Sequence, residues 1–180
     1  MSYPSKTFIY NSCSIRAIKQ SDVKEVLALQ KECNLSYWSE EECQKQVASD
    51  NSINLVAIYK NKLIGFITSG LIISNKKNLL MLKNNQKDNY DKFAEAEIFN
   101  IVVYKNFQRK GIGAFLLKSF LKLCREKMVN SIWLEVREFN FKAIKFYEAY
   151  GFKKVYSRKN YYLDPTENAL VMKLDLFDVL

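Results

Sequence analysis

Acid-base chemistry in this chain must be done without histidine, because its 180 residues contain none. Neither a Ser/His/Asp nor a Cys/His set can be assembled, which favours direct transfer over a covalent enzyme intermediate. Two other side chains in consecutive segments can move protons. Glu135 lies in "IWLEVRE", where period-two alternation puts Trp133, Glu135 and Arg137 on one strand face and Ile132, Leu134 and Val136 on the other. A carboxylate there is a general base if its face borders a crevice. The plainer alternative is a solvated face or an ion pair with Arg137. Tyr147 lies in "NFKAIKFYEAYGF", where Ala143, Phe146, Tyr147 and Tyr150 recur at helical spacing. Its phenol, with an ordinary pKa of about 10, holds a proton to donate at neutral pH. The same spacing also suits a core aromatic stripe.

A third feature is the glycine turn in "QRKGIGAFLL", residues 108–117. It is not a Walker loop, which needs G-x-x-x-x-G-K-[ST]. It is not the dinucleotide fingerprint either, because Leu116 stands where the third glycine would be. What remains is a loop, Gln108 to Ala114, opening a helix whose first N–H groups face outward and attract anions. Gly111 and Gly113 let the backbone approach a diphosphate, and Arg109 and Lys110 add positive charge. A flexible start to a helix is the competing reading.

The elements that must position these residues follow from periodicity. "SIRAIKQ" alternates as a strand, and "SDVKEVLALQKEC" changes to helical spacing behind Ser21 or Asp22 as N-cap. Ser39 and Glu42 make a capping box for a second helix. "SINLVAIYKNKLIGFITSGLIIS" reads as a hairpin about "KNK". The Lys- and Asn-rich stretch 74–92 reads as a long surface loop or insertion, in which "LLML" packs locally or extends a strand. "EAEIFNIVVY", the glycine turn, a helix with Ile112, Leu116, Phe120 and Leu123 inward, and "SIWLEVREF" form a β-loop-α-β unit with parallel strands. The C-terminal ends of those strands frame a crevice. Asn140 caps the next helix, Gly151 leaves it in the left-handed conformation, and "FKKVYSRK" and "ENALVMKLD" close the chain. The sum is an α/β chain of about seven strands and four helices in mixed order.

Composition bounds the rest. Residues 1–180 suit a single domain, and hydrophobic residues at 48% with five glycines and two prolines argue against disorder. Four scattered cysteines, Cys13, Cys33, Cys43 and Cys124, show no CxxC spacing, so no metal site is expected. Cys124, inside an apolar helical run, reads as core. No charged-then-apolar leader and no long apolar run occurs, and free thiols suit a reducing cytoplasm, with no membrane partner. A formal charge of +9 suits an anionic partner without choosing among nucleic acid, a membrane surface and a polyphosphate cofactor. Aromatic-basic RNA signatures are absent, so direct nucleic-acid binding is not supported.

Gln108-x-x-Gly111-x-Gly113-Ala114, between strand and amphipathic helix, resembles the acetyl-CoA pyrophosphate loop of the GNAT acetyltransferases. "NIVVYKNFQRKGIG", "IWLEVREFNFKAIKFYEAYGF", "RKNYY" and "ENALVMKL" follow in the order seen in RimI-type enzymes, which acetylate the N-terminus of a small-subunit ribosomal protein. "YWSEEE" resembles that family's P-W-S segment, with Tyr37 in place of proline, and the stretch 74–92 is longer than the usual connection. The resemblance implies a GNAT fold, a mixed and mostly antiparallel sheet with a splayed parallel pair. It implies an acetyl-CoA-dependent N-alpha-acetyltransferase acting on a protein N-terminus, an N-terminal alanine of a ribosomal protein, in the cytoplasm and without a metal. By resemblance Glu135 is the base, acting through water, and Tyr147 the acid that protonates the CoA thiolate. Ile101, Val102 and Val103 hold the pantetheine by their backbone, and Arg109, Lys110, Gly111, Ile112, Gly113 and Ala114 hold the pyrophosphate. Asn140 contacts CoA as well as capping its helix. Trp38, Tyr161 and Tyr162 shape the peptide groove, or are simply buried aromatics. A different peptide, a small amine, or a noncatalytic acyl-CoA or RNA-binding module are the alternatives.

Overall fold

The computed structural model describes residues 12–33, 35, 38–75 and 92–176. Tyr37 and the greater part of the 74–92 stretch, with its "LLML", lie outside the described residues. The elements are β1 (Cys13–Ala17), α1 (Val23–Glu32), α2 (Glu40–Ala48), β2 (Leu55–Tyr59), β3 (Lys62–Asn75), β4 (Lys92–Val103), α3 (Ile112–Glu126), β5 (Ser131–Arg137), α4 (Phe141–Glu148), β6 (Lys153–Leu163) and β7 (Thr166–Asp175). Strand periodicity thus reaches further at both ends of the Lys/Asn-rich stretch than "GLIIS" and "EAEIF" suggest.

Among the described residues the sheet has seven strands in the order β1-β2-β3-β4-β5-β7-β6. The pairs β1–β2, β2–β3, β5–β7 and β6–β7 are antiparallel, and β4–β5 is parallel as its helical crossover requires. The chain divides into two compact units, residues 1–70 with 99–124, and residues 71–98 with 125–180.

In the first unit the apolar faces of α1 and α2 meet β2 and β3 in a core containing Val26, Leu29, Cys43, Val56, Phe66 and Val102. Asp22, one of the two expected N-cap residues, does stand at the N-cap position of α1, but its side chain makes no capping bond. Asp22 is already occupied, accepting from Arg16 at 2.6 and 2.8 Å and from the Lys19 N–H at 2.7 Å. The Arg16 guanidinium holds the Asp22 carboxyl below the usual range, and this pair ties β1 to the start of α1. The box at α2 does form, with Glu42 N–H to Ser39 Oγ at 3.2 Å and Ser39 N–H to Glu42 Oε2 at 2.7 Å. Lys60 and Asn61 both take positive φ, 48° and 60°, as a two-residue hairpin requires. Cys124 is fully buried, as expected.

In the second unit Ile132, Leu134 and Val136 of β5 are buried beside Leu170, Met172 and Leu174 of β7. Trp133, Glu135 and Arg137 take the other, half-buried face.

Gly65 on β3 marks the closest backbone approach: a Cβ there would stand 2.7 Å from the Val102 carbonyl oxygen. That neighbour is backbone and cannot swing aside. Gly65→Ala is expected to destabilise the protein by about 1 to 3 kcal/mol, read from the denaturant midpoint at unchanged m-value; an unshifted midpoint would contradict the close approach.

Candidate active site

The second unit carries Glu135 and Tyr147. Parallel pairing of Glu95 with Ser131, Ala96 with Ile132, Glu97 with Trp133 and Ile98 with Leu134 fixes which side chains share a face. Ala94, Ala96 and Ile98 are buried, so Glu95 and Glu97 project with Trp133 and Glu135 to the other side. There they wall a cavity of about 350 Å³ with Tyr156 and Arg158 of β6.

Two of the three carboxylates are engaged. Glu95 Oε1 accepts from Ser131 Oγ at 2.7 Å and from Trp133 Nε1 at 3.0 Å. Glu135 Oε1 accepts from Arg158 Nη1 at 2.5 Å, and the Arg158 guanidinium stacks 4.2 Å from the Tyr161 ring centroid. The Tyr161 hydroxyl is pushed up first by its hydrogen bond to Glu135 and then by burial. Burial and the Glu135 charge push Tyr162 up to about 12. Glu97 has neither hydrogen bond nor ion pair among the described residues. Burial raises its carboxyl, the Glu135 charge adds to this, and Arg158 opposes it.

The Glu135–Arg137 pair considered from sequence does not form. Residues two apart on one strand point the same way but stand farther apart than partners on adjacent strands. Arg137 reaches Glu167 at 3.0 Å and the Asp164 carbonyl at 2.8 Å, and lies 4.2 Å from the Tyr162 ring centroid.

Tyr147 is buried on α4, with ring centroids of Phe146 and Phe152 at 5.3 and 5.5 Å. Burial, then Tyr162, pushes its phenol upward, so it keeps its proton at neutral pH, the state a donor needs. The helix beneath it begins where Asn140 Oδ1 accepts the Ala143 N–H at 3.2 Å and ends at Gly151, φ 89°.

The glycine turn belongs to the first unit. Arg109 and Gly111 take φ of 60° and 84°, and the first bond into α3 runs from the Phe115 N–H to the Gly111 carbonyl at 2.9 Å. Gly111 therefore sits at the cap position with no side chain to accept, unlike Ser39 and Asn140 at α2 and α4. The N–H groups of Ile112, Gly113 and Ala114 have no acceptor within the helix. Gln108 Nε2 bonds the Val103 carbonyl at 2.9 Å and Lys110 Nζ the Asn106 carbonyl at 2.8 Å, which ties the turn to its own strand end. An uncapped helix start without Cβ at its mouth fits a diphosphate. Ile101, Val102 and Val103 lie on β4 beyond Ile98, where its ladder with β5 stops. Trp38 is half-buried in this unit, edge-on to Phe99 at 5.9 Å.

The structure thus groups Glu135, Tyr147, Asn140, Tyr161 and Tyr162 in one unit, and Trp38, Ile101 to Val103 and the glycine turn in the other. Sequence reasoning missed Glu95, Glu97 and Arg158. Alternation in "EAEIF" carries a signal for the first two, whereas Arg158 needed the β6–β7 register.

Asn140→Ala should cost about 1 kcal/mol of stability, and Asn140→Ser should restore most of it; equal unfolding midpoints for all three proteins would mean the cap carries no weight.

Residues 23–152 match the model of the Acetyltransferase (GNAT) family. The chain is 32% identical, over 88% of its length and 95% of the relative's, to [ribosomal protein bS18]-alanine N-acetyltransferase of Haemophilus influenzae. It is 35% identical to the Haemophilus ducreyi protein of that name, over 61% and 83% of the two chains. The crystal structure of the ribosomal-protein-S18-alanine N-acetyltransferase from Escherichia coli superimposes with a TM-score of 0.74 at 25% identity, covering 93% of this chain and 98% of that one. With the family's model spanning most of its length and its sheet order in place, this chain belongs to the GNAT acetyltransferase family.

Proposed function

We propose that this chain transfers acetyl from acetyl-CoA directly to the N-terminal α-amine of a protein, and that the acceptor is the N-terminal alanine of a small-subunit ribosomal protein in the bacterial cytoplasm. The observation that carries the acceptor is the 32% identity over 95% of the length of a bS18-alanine N-acetyltransferase. Residues 1–180 act as one domain in this reading, because β3, β4 and α3 each run from one compact unit into the other.

Acetyl-CoA supplies the acetyl group as a thioester. The backbone of Ile101, Val102 and Val103 holds the pantetheine, and Arg109 to Ala114 hold the pyrophosphate; the uncapped start of α3 supports that role. Asn140 contacts CoA, and Trp38, Tyr161 and Tyr162 border the peptide. The amine nitrogen attacks the thioester carbon, the C–N bond forms and the C–S bond breaks. Glu135 draws the proton from the amine through a water, and Tyr147 gives its phenolic proton to the departing thiolate. An α-amine, with a pKa of about 7.7 to 8.0, is partly neutral at physiological pH, so this modest base suffices where a lysine near 10.4 would demand more.

A panel of peptide N-termini, lysine side chains and small amines with labelled acetyl-CoA tests the acceptor. Label should go to N-terminal alanine; preference for lysine or small amines would refute the N-terminal reading. Tyr147→Phe should lower kcat on the order of a hundredfold while leaving acetyl-CoA affinity nearly unchanged. Undiminished single-turnover rates would remove Tyr147 as the acid.

A further inference from the structure

We propose that Glu97 is a further catalytic residue of the acceptor site, the carboxylate on which the amine's proton comes to rest, with Glu135 and Arg158 as the charged pair that governs it. This rests on the acyl-transfer reading above.

The geometry singles out Glu97 by what its neighbours are already doing. Three carboxylates wall the cavity. Glu95 is held by Ser131 and Trp133, and its role is to fix the β4–β5 face. Glu135 is held by Arg158 through Oε1, so a proton arriving on that oxygen competes with a guanidinium. Glu97 has both oxygens uncommitted among the described residues and stands opposite Trp133, one strand across from Glu135. A proton drawn off the amine by way of Glu135 and its water passes on to Glu97 and leaves from there to solvent. Nothing is oxidised or reduced, and the thiolate still takes its proton from Tyr147.

The charges facing Glu97 decide its response to pH. Glu95 lies on its own strand, Glu135 on β5, Tyr156, Arg158 and Tyr161 on β6, and Lys173 on β7 lies 5.2 Å from the Trp133 ring centroid but is paired with Asp175 at 2.6 Å. Burial and Glu135 raise the Glu97 carboxyl, and Arg158 restrains it. A raised carboxyl is a better proton acceptor near neutrality than an ordinary one. Because Glu97 must be ionised to accept, turnover rises with pH through the raised ionisation of Glu97. Removing Glu97 should carry this limb to lower pH.

The test uses the full chain, acetyl-CoA and whichever amine the parent acetylates best, so that a wrong acceptor class and an idle Glu97 give different results. Glu97→Gln should lower kcat on the order of a hundredfold, leave KM for acetyl-CoA unchanged and shift the acid limb of the kcat profile downward. Glu97→Asp should keep the limb. Carboxyl-carbon NMR should show Glu97 titrating above an ordinary glutamate in the parent, and lower in Glu135→Gln. Parent-like kcat in Glu97→Gln, a loss of rate with the limb unmoved, or an ordinary Glu97 titration would each overturn the proposal.

Discussion

The four-residue parallel ladder between β4 and β5 is the constraint on which the carboxylate-lined cavity of the second unit depends. It runs only from Glu95↔Ser131 to Ile98↔Leu134, although β4 continues to Val103 and β5 to Arg137. A register shift of one residue would exchange Glu95 and Glu97 for Ala94, Ala96 and Ile98, putting apolar groups into the cavity and carboxylates into the core. Burying three apolar side chains on one face therefore sets the chemistry of the other. Beyond its last rung β4 continues to Val103, whose carbonyl accepts from Gln108 Nε2.

Within that frame, electrostatics divides labour among like groups. Glu95, Glu97 and Glu135 have the same side chain, yet one is a structural acceptor for an indole and a hydroxyl, one is an arginine's counter-ion, and one has its oxygens free among the described residues. The difference comes from what the neighbouring strands present, Ser131 and Trp133 beside the first and Arg158 beside the third. Tyr147 illustrates the same principle in a phenol: its burial in packing against Phe146 and Phe152 that looks like ordinary core also pushes its ionisation upward.

Much of the fold was legible because the relevant signals are local. Alternation in "IWLEVRE" assigned both faces of β5 correctly, the Ser39–Glu42 box and the Asn140 cap span three residues each, and Gly151 at φ 89° ends α4 as its position suggested. The failures share a cause, a side chain committed to a partner that sequence proximity does not reveal. Asp22 has the type and place of an N-cap but is taken by Arg16 across a turn. Glu135 has Arg137 two residues away but pairs with Arg158, 23 residues distant, on a strand whose register with β7 is irregular between Arg158 and Tyr162. Periodicity locates faces; it does not say which charges meet across strands.

The charge distribution also resolves an apparent conflict between the two substrates. A chain with formal charge +9 attracts a polyanionic donor and should repel a cationic amine. At physiological ionic strength, however, the screening length is about 8 Å, so most of that excess is not felt inside a partly enclosed cavity. There the local count is three carboxylates against one guanidinium, with the nearby Lys173 neutralised by Asp175. A diffuse positive surface and a locally negative pocket can thus coexist in one small protein. Glycine spacing can be read along the chain, whereas the meeting of Glu97, Glu135 and Arg158 in one cavity depends on strands that only the assembled sheet brings together.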